Sequence, residues 1–481
     1  MSLSTTTPRR RKLRRLPVRK AVGFPRLSLV IAAEAIAAVL GFFALIHQAR
    51  NLGPAAFATV EYAAAVVAWL LVLVRGGFDV IVYREAARRP VLIRPLTDLL
   101  LGLRLLSALA GYALIIIVAS IVGSERGGAV LLAGLTLFAS VGATDVGPRS
   151  SGRLGWVAIA VSLRAIGLAL AVSLWVGDPR DALRAAACLV FAETLASLVA
   201  LTQHTQNYGV PRIRFRRRAS LILARRGAIA GLTRFARVTI YGADLLALGW
   251  CAGDELGPYA AARRIVFALA ALGLVIPAML GPSIAQAWTM GVQPARRCIA
   301  SALRSLWSLS LPAALGLALT SSRWIPLLFD PSYSHGSPWL ALNAARLPWL
   351  LSASFAQSAL LACRCENTSL RLTTAQLVLT LILVPPAVIF AGPWGVGWAL
   401  VIVEAAGAIG GWLLLRRLGV APGWTELTGR GLVGCLGLLA AFRLTQNSPL
   451  LITCAASAFG YAAAWRFASR DFTRAIGATS A

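Results

Sequence analysis

The feature that most constrains this chain is its division into long apolar blocks with few charges. Runs of about 18–25 such residues recur from end to end, and a helix needs roughly 20 to cross a bilayer. They do not alternate with a period of about 2 or 3.6, as the half-buried faces of a soluble fold do. About fourteen can be marked, at 28–49, 58–82, 96–122, 128–147, 154–176, 182–203, 227–251, 258–284, 297–320, 337–363, 370–391, 394–416, 429–445 and 449–467. Backbone in hydrocarbon must satisfy its own polar groups, so such blocks are read as helices. The hydrophobic share, 58%, also lies above the roughly half that is usual for soluble domains. The predicted fold class is an all-α integral membrane protein with about fourteen transmembrane helices.

Charge fixes the orientation. The net charge is +29, which in a soluble protein suggests nucleic acid, but the arginines cluster between alternate apolar blocks. Arg84, Arg88, Arg89 and Arg94 follow the second block, and Arg149 and Arg153 the fourth. Arg212 to Arg226 follow the sixth, Arg296 and Arg297 the eighth, and Arg364 and Arg371 the tenth. The intervening turns are short and sparsely basic. That one-sided bias is the signature of loops retained on the cytoplasmic side. It predicts both termini inside a bacterial inner membrane, anionic membrane lipid beside the basic loops, and no nucleic-acid partner. The basic start gives way at Leu27 to a run that is long, carries Glu34 and leads into further spans, so it is an uncleaved first span and not a signal peptide.

Metal chemistry is not expected. The seven cysteines lie in or beside apolar blocks without paired spacing, and there are only three histidines. A Gly-Lys-Ser phosphate loop is absent, which disfavours ATP-driven export. The only cofactor-like requirement foreseen is H+ or Na+ coupling.

Two halves are indicated. The longest basic loop, 204–226, separates six blocks from the next six, as in transporters built from repeats. Leu52-Gly53-Pro54 is echoed by Leu256-Gly257-Pro258 at the first turn of each half, although Gly and Pro also suit any tight turn. The expected divisions are a basic tail 1–27, a six-helix bundle 28–203, a linker 204–226, a second six-helix bundle 227–416, and two extra helices with a tail, 417–481.

In this setting the pattern Arg50-x-Leu52-Gly53-Pro54-x-x-Phe57, Gly76-Gly77-Phe78 and Arg84-Glu85-Ala86-Ala87-Arg88 resembles the opening hairpin of the polysaccharide repeat-unit flippases. These belong to the multidrug/oligosaccharidyl-lipid/polysaccharide exporter superfamily. Asp244 to Gly249 followed by Leu256-Gly257-Pro258-Tyr259-x-x-Ala262-x-Arg264, then Leu327-Leu328-Phe329-x-Pro331-x-Tyr333 and Gly392-x-x-Gly395-Val396-Gly397, are similar to later turns of that family. Arg75 departs from it, standing where an acid is common, and Ala58 replaces a usual glycine. The resemblance implies two bundles around a central cavity, alternating access, and a polyprenyl-diphosphate-linked glycan as substrate. It also implies a polysaccharide polymerase and chain-length machinery as partners. A multidrug-extrusion cation antiporter and a lipid II flippase are the alternatives on the same fold. A membrane glycosyltransferase or polymerase needs a sizeable external loop, and every turn on that side is short.

Charged side chains inside spans are costly and tend to face water or a partner. Arginine, with its permanent planar fork, suits a diphosphate. Arg164, Arg234, Arg237, Arg264 and Arg346 are the candidate anion-binding residues, Arg234 and Arg237 sharing a helix face but also able to snorkel. Arg75, Arg104 and Arg304 are expected to snorkel to the inner surface. Asp145, Glu404, Glu34 and Asp244 are candidates for ion or proton coupling, with ion pairing to an arginine as the competing role. Trp69 and Trp349 lie inside spans, where core packing competes with sugar stacking.

Overall fold

Helices are what blocks of this length can form, and helices occupy nearly the whole chain. The computed structural model describes the backbone of residues 24–478 apart from 152 and 252. It describes side chains from residue 32 onward, apart from 80, 125, 272, 274–279, 425, 430, 465 and 467–478. Among the described residues there is no strand. Most of the expected basic tail, 1–27, lies outside them.

The first helix, α1 (Phe24–Arg75), is two limbs joined at Gly53, whose φ of 70° breaks the helix before Pro54. The second limb does not run unbroken through the expected span 58–82. It stops at Gly76 and Gly77, both with positive φ, and resumes as α2 (Phe78–Arg88). The cause is close packing: a Cβ on Gly77 would stand 2.3 Å from the Gly231 nitrogen, so only glycine fits. Next come α3 (Ile93–Val122), α4 (Ser124–Gly134), α5 (Thr136–Val141) and α6 (Val146–Ser151), the last three dividing the block expected at 128–147. The first half closes with α7 (Gly155–Trp175) and α8 (Ala182–Tyr208).

The second half comprises α9 (Arg217–Cys251), α10 (Leu256–Met290), α11 (Val292–Leu319), the short α12 (Ser321–Leu328), α13 (Ser337–Ala362) and α14 (Glu366–Arg417). The two limbs of α14 meet at Gly392, φ 53°, so the expected division between 391 and 394 is observed. The terminal pair is α15 (Trp424–Thr445) and α16 (Leu450–Ala478). Basic residues 217–226 of the expected linker are helical and continuous with α9.

Among the described residues seven stretches are long and apolar enough to cross a membrane, and two of them, Ala32–Arg75 and Glu366–Arg417, hold two limbs each. Two shorter apolar helices, Arg126–Val141 and Leu450–Ala464, coincide with further blocks of the fourteen-span reading. The outer surface confirms the setting: Phe390 is 86% exposed, Leu174 77% and Phe459 77%, an apolar exterior that only lipid tolerates on this scale. The protein is a multi-pass membrane protein.

In the first half α1 packs on α3, α4, α7 and α8; in the second α13 packs on α10, α11 and α14, with α9 against α14. The terminal helices pack on each other and α15 on α11. The halves meet where α1 lies on α9 and α10 and where α2 lies on α9. At one end the echoed turns touch: a Cβ on Gly257 would lie 2.2 Å from the Pro54 carbonyl oxygen. There Arg50 donates to the carbonyls of Leu327 and Leu328 at 2.6 and 2.8 Å, and the Tyr333 hydroxyl to that of Ala49 at 2.8 Å. Arg264 of α10 grips Glu61 of α1 through both carboxylate oxygens at 3.0 Å.

Candidate functional site

The second limb of α1 ends at Arg75, far from the Pro54 turn, and a cavity of about 400 Å³ opens beside that end. Both halves contribute to its wall. From the first come Glu34 and Arg75 of α1, Asp79 and Tyr83 of α2, Arg104 of α3, the 143–145 turn, Arg149 of α6, Trp156 and Arg164 of α7, and Glu193 and Gln203 of α8. The second half supplies Arg234 of α9. Five arginines face four carboxylates, a surplus of one positive charge when all are ionised.

Most of these charges are committed. Arg104 is 1% exposed and binds Asp79 at 2.6 Å and the Ala143 carbonyl at 3.0 Å. Arg75 holds Glu193 at 2.7 Å. Asp145 accepts from the Tyr83 hydroxyl and from Arg149 one turn later. Each pairing offsets the cost of an intramembrane charge. Two arginines remain available. Arg164 stands 3.6 Å from the Glu193 carboxylate that Arg75 already occupies, and half its side chain is exposed. Arg234 is exposed and, among the described residues, makes no ion pair or hydrogen bond.

The other candidates lie elsewhere. Arg264 is taken by Glu61. In the second half Arg346, 1% exposed, bridges Glu404 at 3.2 Å and Asp244 at 3.5 Å. Arg263 binds the same Asp244 at 2.7 Å, and Phe267 lies beneath both guanidinium groups. Arg237 donates to Gln357 at 2.8 Å, which donates in turn to Gln376 at 2.7 Å. Thus Arg164, Arg234, Asp145 and Glu34 meet at the cavity, whereas Arg237, Arg346, Asp244 and Glu404 meet in a buried second-half cluster. Asp145 and Glu404 both carry arginine partners, the competing role foreseen for them.

Arg75 and Arg104 do not snorkel. They turn inward, because Glu193 and Asp79 offer buried carboxylates that a surface position cannot match. Trp69 packs on Phe235 and donates to Thr239 between the halves. Sequence reasoning passed over Glu61, Tyr83, Thr144, Arg149, Trp156 and Gln203. Of these only Arg149 carried a local signal, its spacing of four from Asp145; the others depend on helix packing.

Comparison with known proteins adds the fold. No family model and no curated protein matches the chain. Among solved structures, the lipid II flippase MurJ in an inward closed conformation superposes with a TM-score of 0.75 at 14% identity, covering 93% of this chain and 100% of that one. An inward-facing multidrug resistance MATE family transporter of the MOP superfamily gives 0.61 at 14%, over 82% and 98%. The eukaryotic MATE transporter AtDTX14 gives 0.53 at 12%, over 85% and 97%. The fold is the one these transporters share. In this chain two six-helix halves surround the cavity, and two further helices, α15 and α16, follow at the C-terminal end.

Proposed function

We propose that this protein moves a polyprenyl-diphosphate-linked saccharide from one leaflet to the other by alternating access, in the assembly of a surface polysaccharide. The observation that carries this reading is the pair of available arginines, Arg164 from the first half and Arg234 from the second, facing one cavity. A diphosphate offers oxygens on two sides and can accept from both guanidinium forks at once. A ligand held by both halves binds best at one relative position of the two, which is how binding free energy biases a conformational equilibrium. The surplus positive charge disfavours a cationic drug as cargo.

Lipid II remains a second reading within the same chemistry, favoured by the superposition that extends over 93% of the chain. The deciding experiment uses proteoliposomes loaded with a fluorescent polyprenyl-diphosphate oligosaccharide and measures its exposure to an externally added lectin. Wild type is expected to translocate it, with Arg164→Ala and Arg234→Ala each slowing transfer at least tenfold at equal incorporation. Undiminished transfer in both variants overturns the assignment. Faster transfer of lipid II than of a repeat unit selects the second reading.

A further inference from the structure

Beside the arginines the cavity wall carries a second, uncharged set of groups that the diphosphate reading does not use. Gln203 is 1% exposed and Thr144 is fully buried. Both line the cavity, yet among the described residues neither carboxamide atom of Gln203 nor the hydroxyl of Thr144 has a hydrogen-bond partner. Buried polar atoms without partners are rare and ask for a cause. The backbone points to the same place. The helical ladder is interrupted at 143–145, between α5 and α6, and Arg104 takes up the released Ala143 carbonyl. Irregular backbone at membrane depth persists where it lines a cavity. Trp156, at the start of α7, presents an indole to the same wall and is 37% exposed.

The chemistry of this set selects its ligand. The Gln203 oxygen only accepts and its nitrogen only donates. Phosphate oxygens at neutral pH only accept, so they leave the carboxamide oxygen unmatched, and a lipid tail matches neither atom. A sugar ring bears hydroxyls, and in an acetamido sugar an amide, that donate and accept together. Its C–H face lies naturally on an aromatic ring. We propose that Gln203, Thr144 and Trp156 form a saccharide subsite that holds the first sugar of the cargo while Arg164 and Arg234 hold its diphosphate. This rests on the function proposed above and adds to it where the sugar sits. A cavity of about 400 Å³ falls within the usual range of small-molecule sites, about 300–1,000 Å³.

The test compares two short-chain ligands on the full-length protein in nanodiscs: farnesyl diphosphate, and farnesyl-diphospho-N-acetylglucosamine. Wild type is expected to bind the sugar-bearing ligand about tenfold more tightly, the worth of two neutral hydrogen bonds. Gln203→Met and Thr144→Val, near-isosteric changes, are expected to erase most of that difference and leave farnesyl diphosphate binding unchanged. Trp156→Ala, on the exposed part of the wall, is expected to do the same without disturbing a buried position. Arg234→Ala is expected to weaken both ligands equally. Equal affinity of wild type for the two ligands overturns the subsite, as do variants that lower both affinities together. Failure of wild type to bind either ligand overturns the proposed function itself.

Discussion

Arg346→Met isolates the second-half charge cluster. The substitution removes the guanidinium that stands 3.2 Å from Glu404 and 3.5 Å from Asp244, and these three residues are between 0% and 2% exposed. Asp244 keeps Arg263 at 2.7 Å, but Glu404 has no other ion pair among the described residues. The burden therefore falls on one carboxylate. Removing one partner of a buried pair costs about 3–5 kcal/mol, whereas replacing both partners with neutral groups of similar volume is often close to neutral. At roughly 2 °C per kcal/mol for a large chain, Arg346→Met is expected to lower the melting temperature of the detergent-solubilised protein by about 6–10 °C. Adding Glu404→Gln is expected to restore more than half of the loss, since the orphaned charge is gone. Glu404→Gln alone leaves Arg346 with Asp244 and should cost less than Arg346→Met. A full cycle of the four proteins gives the coupling directly. An unchanged melting temperature for Arg346→Met, or a double variant no better than the single, refutes this account of the cluster.

Three further outcomes follow from other contacts. Asp98, 2% exposed, accepts from the Arg212 amide at 2.8 Å and lies 3.5 Å from the Arg214 guanidinium. Asp98→Asn weakens that clasp on the linker and is expected to speed trypsin cleavage at 212–218 about tenfold, one charged hydrogen bond being worth about 1.5–3 kcal/mol. Gly77→Ala adds a Cβ 2.3 Å from the Gly231 nitrogen at φ 70° and is expected to cost at least about 2 kcal/mol, backbone strain alone being about 1–2. Gly242→Ala, inside α9 with nothing within 4 Å among the described residues, is expected to hold or slightly raise the melting temperature and serves as its control. In the turn after α7, the Gly177 amide, joined by that of Asp178 and by Arg184, holds the Asp181 carboxyl below the usual carboxylate range. Its folded pKa is depressed, so its contribution is present above the unfolded value of about 4 and is lost as pH falls through the folded one. Asp181→Asn is therefore expected to lower the melting temperature at pH 6, and the gap to wild type is expected to narrow as pH falls below the unfolded value and on through the depressed folded one.

Much of the architecture was legible because lipid imposes a simple rule on sequence: long apolar blocks, helices, and arginines between them. The break at Gly392 and the paired Leu-Gly-Pro turns could be read directly. The break at Gly76–Gly77 could not, since its cause is the approach of α9, more than a hundred residues away in sequence. The cavity was half legible. Arg164 and Arg234 were visible as isolated intramembrane cations, but so were Arg237 and Arg346, which the fold commits to Gln357 and to Glu404. Which face of a helix meets a cavity depends on its rotation against neighbours, and spans apolar all round carry little periodic signal to set it. Gln203 and Thr144 are unremarkable in sequence; only their missing partners single them out.

The touching turns carry a mechanical consequence. Gly257 against the Pro54 carbonyl is a contact of backbone with backbone, and backbone has no rotamers with which to yield. A joint of that kind does not slide; it rolls or parts. It also sits at one extremity of α10, whose 35 residues span about 50 Å at 1.5 Å per residue. On such a lever, a tilt of about 10° at the turns sweeps the opposite tip through about 9 Å. That is more than the separation of two packed side chains, so a small angle at the turns is amplified at the far end of α10.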